Sequence, residues 1–249
     1  TFEEVTEKFL ADKLLYPESD PSIKKEVRQL GAPTEADFAG RLDLRNEYVT
    51  CIDPEGARDH DDAINIHNRY DGGWDLGVHI ADVSHYVRPG SAMDTEALRR
   101  SNSVYLVDRV VPMLPEQLSN IACSLRPNED KYTFSAVFEI DTSGKVFAEW
   151  FGKTAIHSDR RFTYEEAQEI IEGKEGDFKE EILIIDKIAK ILRKARLKQG
   201  ALSIESEEMR FKLDEKGNPK EVIIKTSKDA HKLVEEFMLL ANRHVATYL

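Results

Sequence analysis

The sequence predicts an α+β fold in which mixed and antiparallel sheets carry packed helices. Three observations predict it. Strand-like runs come in pairs joined by short glycine-bearing turns: Ala63–His67 with Trp74–Ile80, Thr133–Ile140 with Lys145–Ile156, and Met209–Leu213 with Glu221–Lys225. Runs with apolar residues at three- and four-residue spacing accompany the hairpins and read as helices. The two kinds of element do not alternate in the strict manner of parallel βαβ folds.

Taken in order, residues 1–47 are acidic and read as strandless. Phe2, Val5, Phe9, Leu10 and Leu14 fall at helical spacing until Pro17 and Pro21 break the pattern. Strand signals begin at Tyr48–Ile52. The first hairpin turns through Tyr70-Asp71-Gly72-Gly73, the second through Asp141-Thr142-Ser143-Gly144, and the third through Asp214-Glu215-Lys216-Gly217-Asn218. Thr163-Tyr164-Glu165-Glu166 is a capping box, in which threonine and glutamate satisfy each other's free N–H groups, and Gly173 closes that helix. A second helix is expected from Asp177 to Gly200, with Ile182, Ile185, Ala189 and Leu192 on its apolar face. A third begins at Ala230 and runs to Leu249 without a stop signal. With no initiator methionine at Thr1, the chain reads as a piece of a longer protein. No internal repeat or low-complexity tract occurs. The expected division is an acidic N-terminal helical or linker segment, 1–47, and one compact domain, 48–249, incomplete at its C-terminus.

Composition excludes several classes. Hydrophobic residues make 41% and charged residues 33% of the 249, the balance of a soluble globular chain. No apolar run approaches the roughly 20 residues of a membrane span, and no basic-then-apolar leader is present. Two cysteines, Cys51 and Cys123, make neither a disulfide framework nor a zinc site of four cysteines, and they favour a reducing, cytoplasmic setting. A net charge of −12 argues against wrapping nucleic acid by bulk electrostatics, but leaves room for a local basic channel.

The most informative segment is Thr50-Cys51-Ile52-Asp53-Pro54-Glu55-Gly56-Ala57-Arg58-Asp59-His60-Asp61-Asp62-Ala63, in which four aspartates fall within ten residues between two strand-like runs. Carboxylates packed this tightly raise each other's pKa unless a cation neutralises them. Hard oxygen donors without cysteine suit Mg²⁺, or Mn²⁺, rather than zinc. The spacing does not fit an EF-hand. A solvated acidic turn is the plain alternative. A glycosyltransferase Asp-x-Asp turn, Asp59-His60-Asp61, holding a metal–nucleotide-sugar is another.

The surrounding motifs carry a resemblance. Asp53 through Ala63 is followed in order by Gly77-Val78-His79-Ile80-Ala81-Asp82-Val83-Ser84, Ser103-Val104-Tyr105-Leu106, Pro112-Met113-Leu114-Pro115-Glu116-Gln117-Leu118-Ser119-Asn120 and Cys123-Ser124-Leu125. Arg161-Phe162-Thr163-Tyr164, Glu205-Ser206-Glu207-Glu208 and Ala230 through Asn242 come after. Together, over about residues 40–249, these closely resemble the catalytic RNB domain of the ribonuclease II/ribonuclease R exoribonucleases, the ribonuclease R branch best.

The resemblance implies a Mg²⁺-dependent, two-metal, 3′-to-5′ hydrolysis of single-stranded RNA that releases nucleoside 5′-monophosphates. It makes Asp53, Asp59 and Asp62 metal ligands and Asp61 the catalytic aspartate. His60 stands where relatives are usually apolar, and is expected to pack outward rather than to ligate. Tyr105 would stack on a base of the bound strand, unless it is an ordinary core aromatic of its strand. Tyr164 and Glu235 match positions linked to sugar recognition, although Tyr164 also belongs to a helix entry and Glu235 suits a solvated helix face. Ile204 falls where a second base-stacking aromatic is expected. An arginine-bearing motif that supports phosphate cleavage is expected downstream of Leu249, and OB-folds are expected to flank the domain, so the chain alone is expected to be weakly active or inactive. An inactive RNB-like scaffold that binds RNA or protein is the non-enzymatic alternative.

Overall fold

The computed structural model describes residues 4–8, 20–31, 33–106, 109–202, 208–215 and 218–249. They group into two compact units. One comprises Ala32–Asp82, Cys123–Ile204 and Ser227–Leu249; the other comprises Thr1–Gly31, Val83–Ala122 and Glu205–Thr226.

Among the described residues, the first unit is a seven-stranded sheet with three α-helices. Its elements are β1 (Leu42–Leu44), β2 (Thr50–Asp53), β3 (Asp62–Asn68), β4 (Trp74–Ala81), β5 (Glu129–Ile140), β6 (Val146–Ser158), β7 (Arg160–Thr163), α1 (Tyr164–Ile171), α2 (Lys179–Lys198) and α3 (Asp229–Tyr248). The strand order is β1-β6-β5-β4-β3-β2-β7. The four inner pairings are antiparallel, while β1 joins β6 and β7 joins β2 in parallel. The mixed sheet with packed helices is the fold class the sequence implies.

Alternation along the central strands sorts the two faces. Trp74, Leu76 and Val78 of β4 join Ile64, Ile66, Phe138 and Ile140 in one apolar layer, onto which Ile182, Ile185, Ile188, Leu233 and Phe237 of α2 and α3 pack. Each fully buried side chain of this size contributes about 1.5–3 kcal/mol. The intervening residues make a polar layer on the other face. His79 Nε2 lies 3.1 Å from Asn65 Oδ1 and its Nδ1 lies 2.7 Å from the Ser135 hydroxyl. That hydroxyl is 2.5 Å from Thr154 Oγ1, which is 2.6 Å from Thr133 Oγ1. The asparagine oxygen only accepts, so Nε2 carries the hydrogen and Nδ1 of the neutral ring accepts from Ser135. Complete burial pushes the His79 pKa down to about 3. Gly77 makes the layer possible: a methyl group there would fall 1.9 Å from Asn65 Oδ1 and 2.8 Å from the imidazole.

Two local expectations change. Residues 1–47 read as strandless, yet Leu42–Leu44 forms β1, with Leu42 opposite Thr154 and Leu44 opposite Ile156. Three residues are too few for an alternation signal; the long neighbouring strand makes them a strand. The second helix begins at Lys179 rather than Asp177. Phe178 takes the N-cap position in the left-handed region, φ 52°, with its ring stacked on Tyr48 at 3.8 Å between centroids. Asp177 instead lies 3.3 Å from Arg160. The capping box forms as expected, Glu166 N–H donating to Thr163 Oγ1 at 3.0 Å and Thr163 N–H to Glu166 Oε2 at 2.8 Å.

In the second unit, the helix Pro21–Val27 places Glu26 so that its carboxylate accepts the N–H groups of Ala92 and Met93, at 2.8 and 2.9 Å. These are free donors at the start of the helix Ala92–Arg100, whose N-cap Ser91 accepts from Asp94 N–H at 3.1 Å. The third hairpin is an antiparallel pair, Glu208–Leu213 with Pro219–Lys225. Among the described residues, no helix is long and apolar enough to cross a membrane.

Candidate active site

Adjacent strands carry the two ends of the acidic loop. Asp53 closes β2 and Asp62 opens β3, with Thr50 opposite Ile64. The loop between them is pinned along its length. Arg161 of β7 donates to the Pro54 carbonyl. The Ser124 hydroxyl donates to the Arg58 carbonyl at 2.8 Å and accepts the His60 N–H at 3.2 Å, and Leu125 N–H donates to the His60 carbonyl at 2.8 Å. Ala81 N–H, at the end of β4, donates to the Asp61 carbonyl at 2.9 Å. The next residue, Asp82, is locked by Arg41 at 2.7 Å in an ion pair almost wholly removed from water. Breaking one member of such a pair typically costs about 3–5 kcal/mol, so the end of β4 is firmly placed.

The carboxylates resist being ionised together. Removal from water, then the charges of Asp61 and Asp53, push the Asp62 carboxyl up to about 7. Asp61 is raised by the same causes, desolvation first and then Asp53 and Asp59. Burial and the aspartates beside it push the Cys51 thiol well up. Asp59 and Asp61 are exposed and Asp62 is half-buried.

Tyr164 reaches the same place by a route 110 residues long in sequence. Parallel pairing sets Asp53 opposite Thr163, and Tyr164 follows as the first residue of α1. Burial, and then the charges of Asp62, Asp53 and Asp61, push its hydroxyl up to about 12. Its ring stacks on His231 of α3, 4.1 Å between centroids. Glu235, also on α3, is exposed and lies 3.7 Å from Arg196 of α2. Tyr105 belongs to the other unit, on the two-residue strand Val104–Tyr105; at 71% exposure it is not a core residue there. Ile204 and residues 205–207 of the Glu205–Glu208 motif lie outside the described residues.

His60 corrects an expectation. It does not pack outward: it is buried, 7% exposed, and its Nδ1 lies 2.8 Å from Asp53 Oδ2. The main-chain bonds to Ser124 and Leu125 turn the ring inward, and those partners lie more than 60 residues away. Arg161 and Ser124 stand within the motifs that carry the resemblance, but nothing in the sequence marks them as the residues that hold the loop.

The loop offers a divalent ion a donor set of one kind. Its atoms are hard carboxylate oxygens, and the raised Asp61 and Asp62 record a surplus of negative charge that a cation would relieve. As placed, no three His, Cys, Asp or Glu side chains among the described residues converge on one metal position. In donor type and charge the residues fit Mg²⁺ or Mn²⁺.

The site is thus a mixed sheet with an acidic loop between two of its adjacent strands, and with α1 starting beside that loop. Residues 41–249 match the family model of the RNB domain, and the chain belongs to that family. A DIS3-like exonuclease 2 from Schizosaccharomyces pombe is 44% identical over 225 residues, covering 84% of this chain and 24% of the relative. A ribonuclease R from Thermotoga maritima is 46% identical over 216 residues, covering 84% of this chain and 30% of the relative. The structure of Mycoplasma genitalium RNase R in complex with ribose-methylated single-stranded RNA superposes with a TM-score of 0.89 at 29% identity, covering 96% of this chain and 38% of that one. The chain therefore spans about a quarter to a third of the length of these curated relatives. Family membership replaces the nucleotide-sugar reading of Asp59-His60-Asp61.

Proposed function

We propose that this chain carries the aspartate centre of a 3′-to-5′ hydrolytic exoribonuclease that degrades single-stranded RNA to nucleoside 5′-monophosphates in a cytoplasmic setting. The carrying observation is the pinned loop, which begins at Asp53, ends at Asp62 and raises the carboxyls of Asp61 and Asp62. Relatives named as exonucleases and as ribonuclease R support the reaction class.

In this reading Asp53, Asp59 and Asp62 hold Mg²⁺, with Mn²⁺ as a substitute. Two bound ions supply positive charge against the charge that develops on the phosphate. Asp61, the exposed carboxylate at the end of the loop, is the residue on which cleavage depends. The Tyr164 hydroxyl, kept protonated beside the aspartates, is a hydrogen-bond donor for a ribose 2′-hydroxyl, the group that separates RNA from DNA. Glu235 joins that recognition only by leaving Arg196. Tyr105 offers an exposed ring for base stacking, a contact worth about 1–3 kcal/mol.

A time course on end-labelled single-stranded RNA tests the proposal. The parent chain with Mg²⁺ or Mn²⁺ should shorten the RNA from its 3′ end, slowly and without processivity, since net charge −12 gives little hold on the strand between cleavages. Asp61→Asn should abolish shortening and leave RNA affinity within about twofold. An Asp61→Asn variant of normal rate would refute the site.

A further inference from the structure

We infer that His60 is a positioning residue for Asp53: it fixes that carboxylate so that a single oxygen is presented to a divalent ion. The inference rests on the proposed metal-binding role of Asp53 and adds a residue that role does not require.

Three observations carry it. The His60 ring is buried and its Nδ1 stands 2.8 Å from Asp53 Oδ2. A carboxylate only accepts, so Nδ1 carries the hydrogen of this contact. His60 cannot drift: its N–H is held by the Ser124 hydroxyl at 3.2 Å and its carbonyl by Leu125 N–H at 2.8 Å, with Ser124 and Leu125 both fully buried. Asp53 is itself anchored as the last residue of β2, opposite Thr163 of β7. Two rigid pieces of main chain thus face each other through one hydrogen bond, and that bond occupies Oδ2.

The consequence is chemical. With Oδ2 turned to the His60 N–H, Oδ1 is the more basic oxygen Asp53 has to offer, which favours the one-oxygen octahedral ligation of Mg²⁺ and Mn²⁺. Ca²⁺ accepts carboxylates that give both oxygens and tolerates irregular geometry. Hydrogen-bond partners of metal-ligating groups typically contribute 10- to 100-fold in affinity by fixing their orientation. His60 therefore raises affinity for the smaller ions and selects against Ca²⁺.

Titration calorimetry on the full 249-residue chain, with MnCl₂ and with CaCl₂, tests this on the parent, His60→Leu and His60→Asn. Leucine fills the space without a donor, whereas the asparagine amide places an N–H close to where Nδ1 stands. His60→Leu should weaken Mn²⁺ binding about 10- to 100-fold and narrow the Mn²⁺/Ca²⁺ affinity ratio, and His60→Asn should recover most of both. A purely structural role would lower the melting temperature and leave that ratio alone. If His60→Leu does not fold, His60→Asn is set against His60→Gln, whose longer amide overshoots Oδ2: equal ratios overturn the inference, and a narrower ratio in His60→Gln supports it. A His60→Leu variant with parental Mn²⁺ and Ca²⁺ affinities overturns the inference alone. A parent chain that binds neither ion overturns the metal reading of the aspartates, and this inference with it.

Discussion

Asp62→Asn should make the metal-free chain more stable while destroying the site. Loss of water around the carboxyl, and then the charges of Asp61 and Asp53, push the Asp62 pKa from 3.8 up to about 7. A group that holds its proton more tightly in the folded chain contributes its full stability below the unfolded pKa. It loses that contribution as the pH rises through the folded value. The whole displacement corresponds to about 4 kcal/mol; sharing the repulsion with Asp61 leaves roughly 2–4 kcal/mol for Asp62 above pH 7. Asparagine keeps the shape and removes the charge. Urea unfolding in EDTA, followed by circular dichroism, should show the variant more stable by about 2–4 kcal/mol at pH 8 and by less than about 1 kcal/mol at pH 4. Saturating Mn²⁺ should stabilise the parent and leave the variant nearly unmoved. A variant no more stable than the parent at pH 8 would refute the claim that the loop stores electrostatic repulsion for a cation to relieve.

Three further outcomes are expected. Burial holds His79 neutral down to about 3, so as the pH falls from 6.5 toward that value the unfolded chain gains a proton the folded chain refuses. Stability should fall by about 1.4 kcal/mol per pH unit, and His79→Gln should flatten that limb; this slope opposes the Asp62 slope between about pH 4 and 6.5, so each is read as variant against parent, and an unflattened limb sinks the idea. Gly77→Ala should destabilise by about 2–5 kcal/mol, because its methyl group displaces Asn65 and unpairs His79; an unchanged melting temperature would show that the polar layer yields freely. Tyr105→Ala should lengthen the shortest fragment left undigested without changing thermal stability, since the ring is 71% exposed; an unchanged end product would remove it from the RNA path.

Much of this protein is local and was legible. Hairpins declare themselves because a turn residue and a two-residue period act over a few positions, and the capping box at Thr163 is complete within four residues. The acidic loop is likewise contiguous, so its charge frustration and its oxygen chemistry could be read before any coordinates. The sequence by itself determined which carboxyl groups the acidic loop carries. Tertiary structure decided where they point. Whether 42–44 is a strand depended on β6, and the start of α2 depended on a ring stacked across on Tyr48. Tyr164 came to the aspartates through a parallel pairing of Asp53 with Thr163, and His60 turned inward because buried residues 124 and 125 hold its main chain. Each of these contacts closes a long loop of chain, and no periodicity or propensity within a short window carries information about its partner.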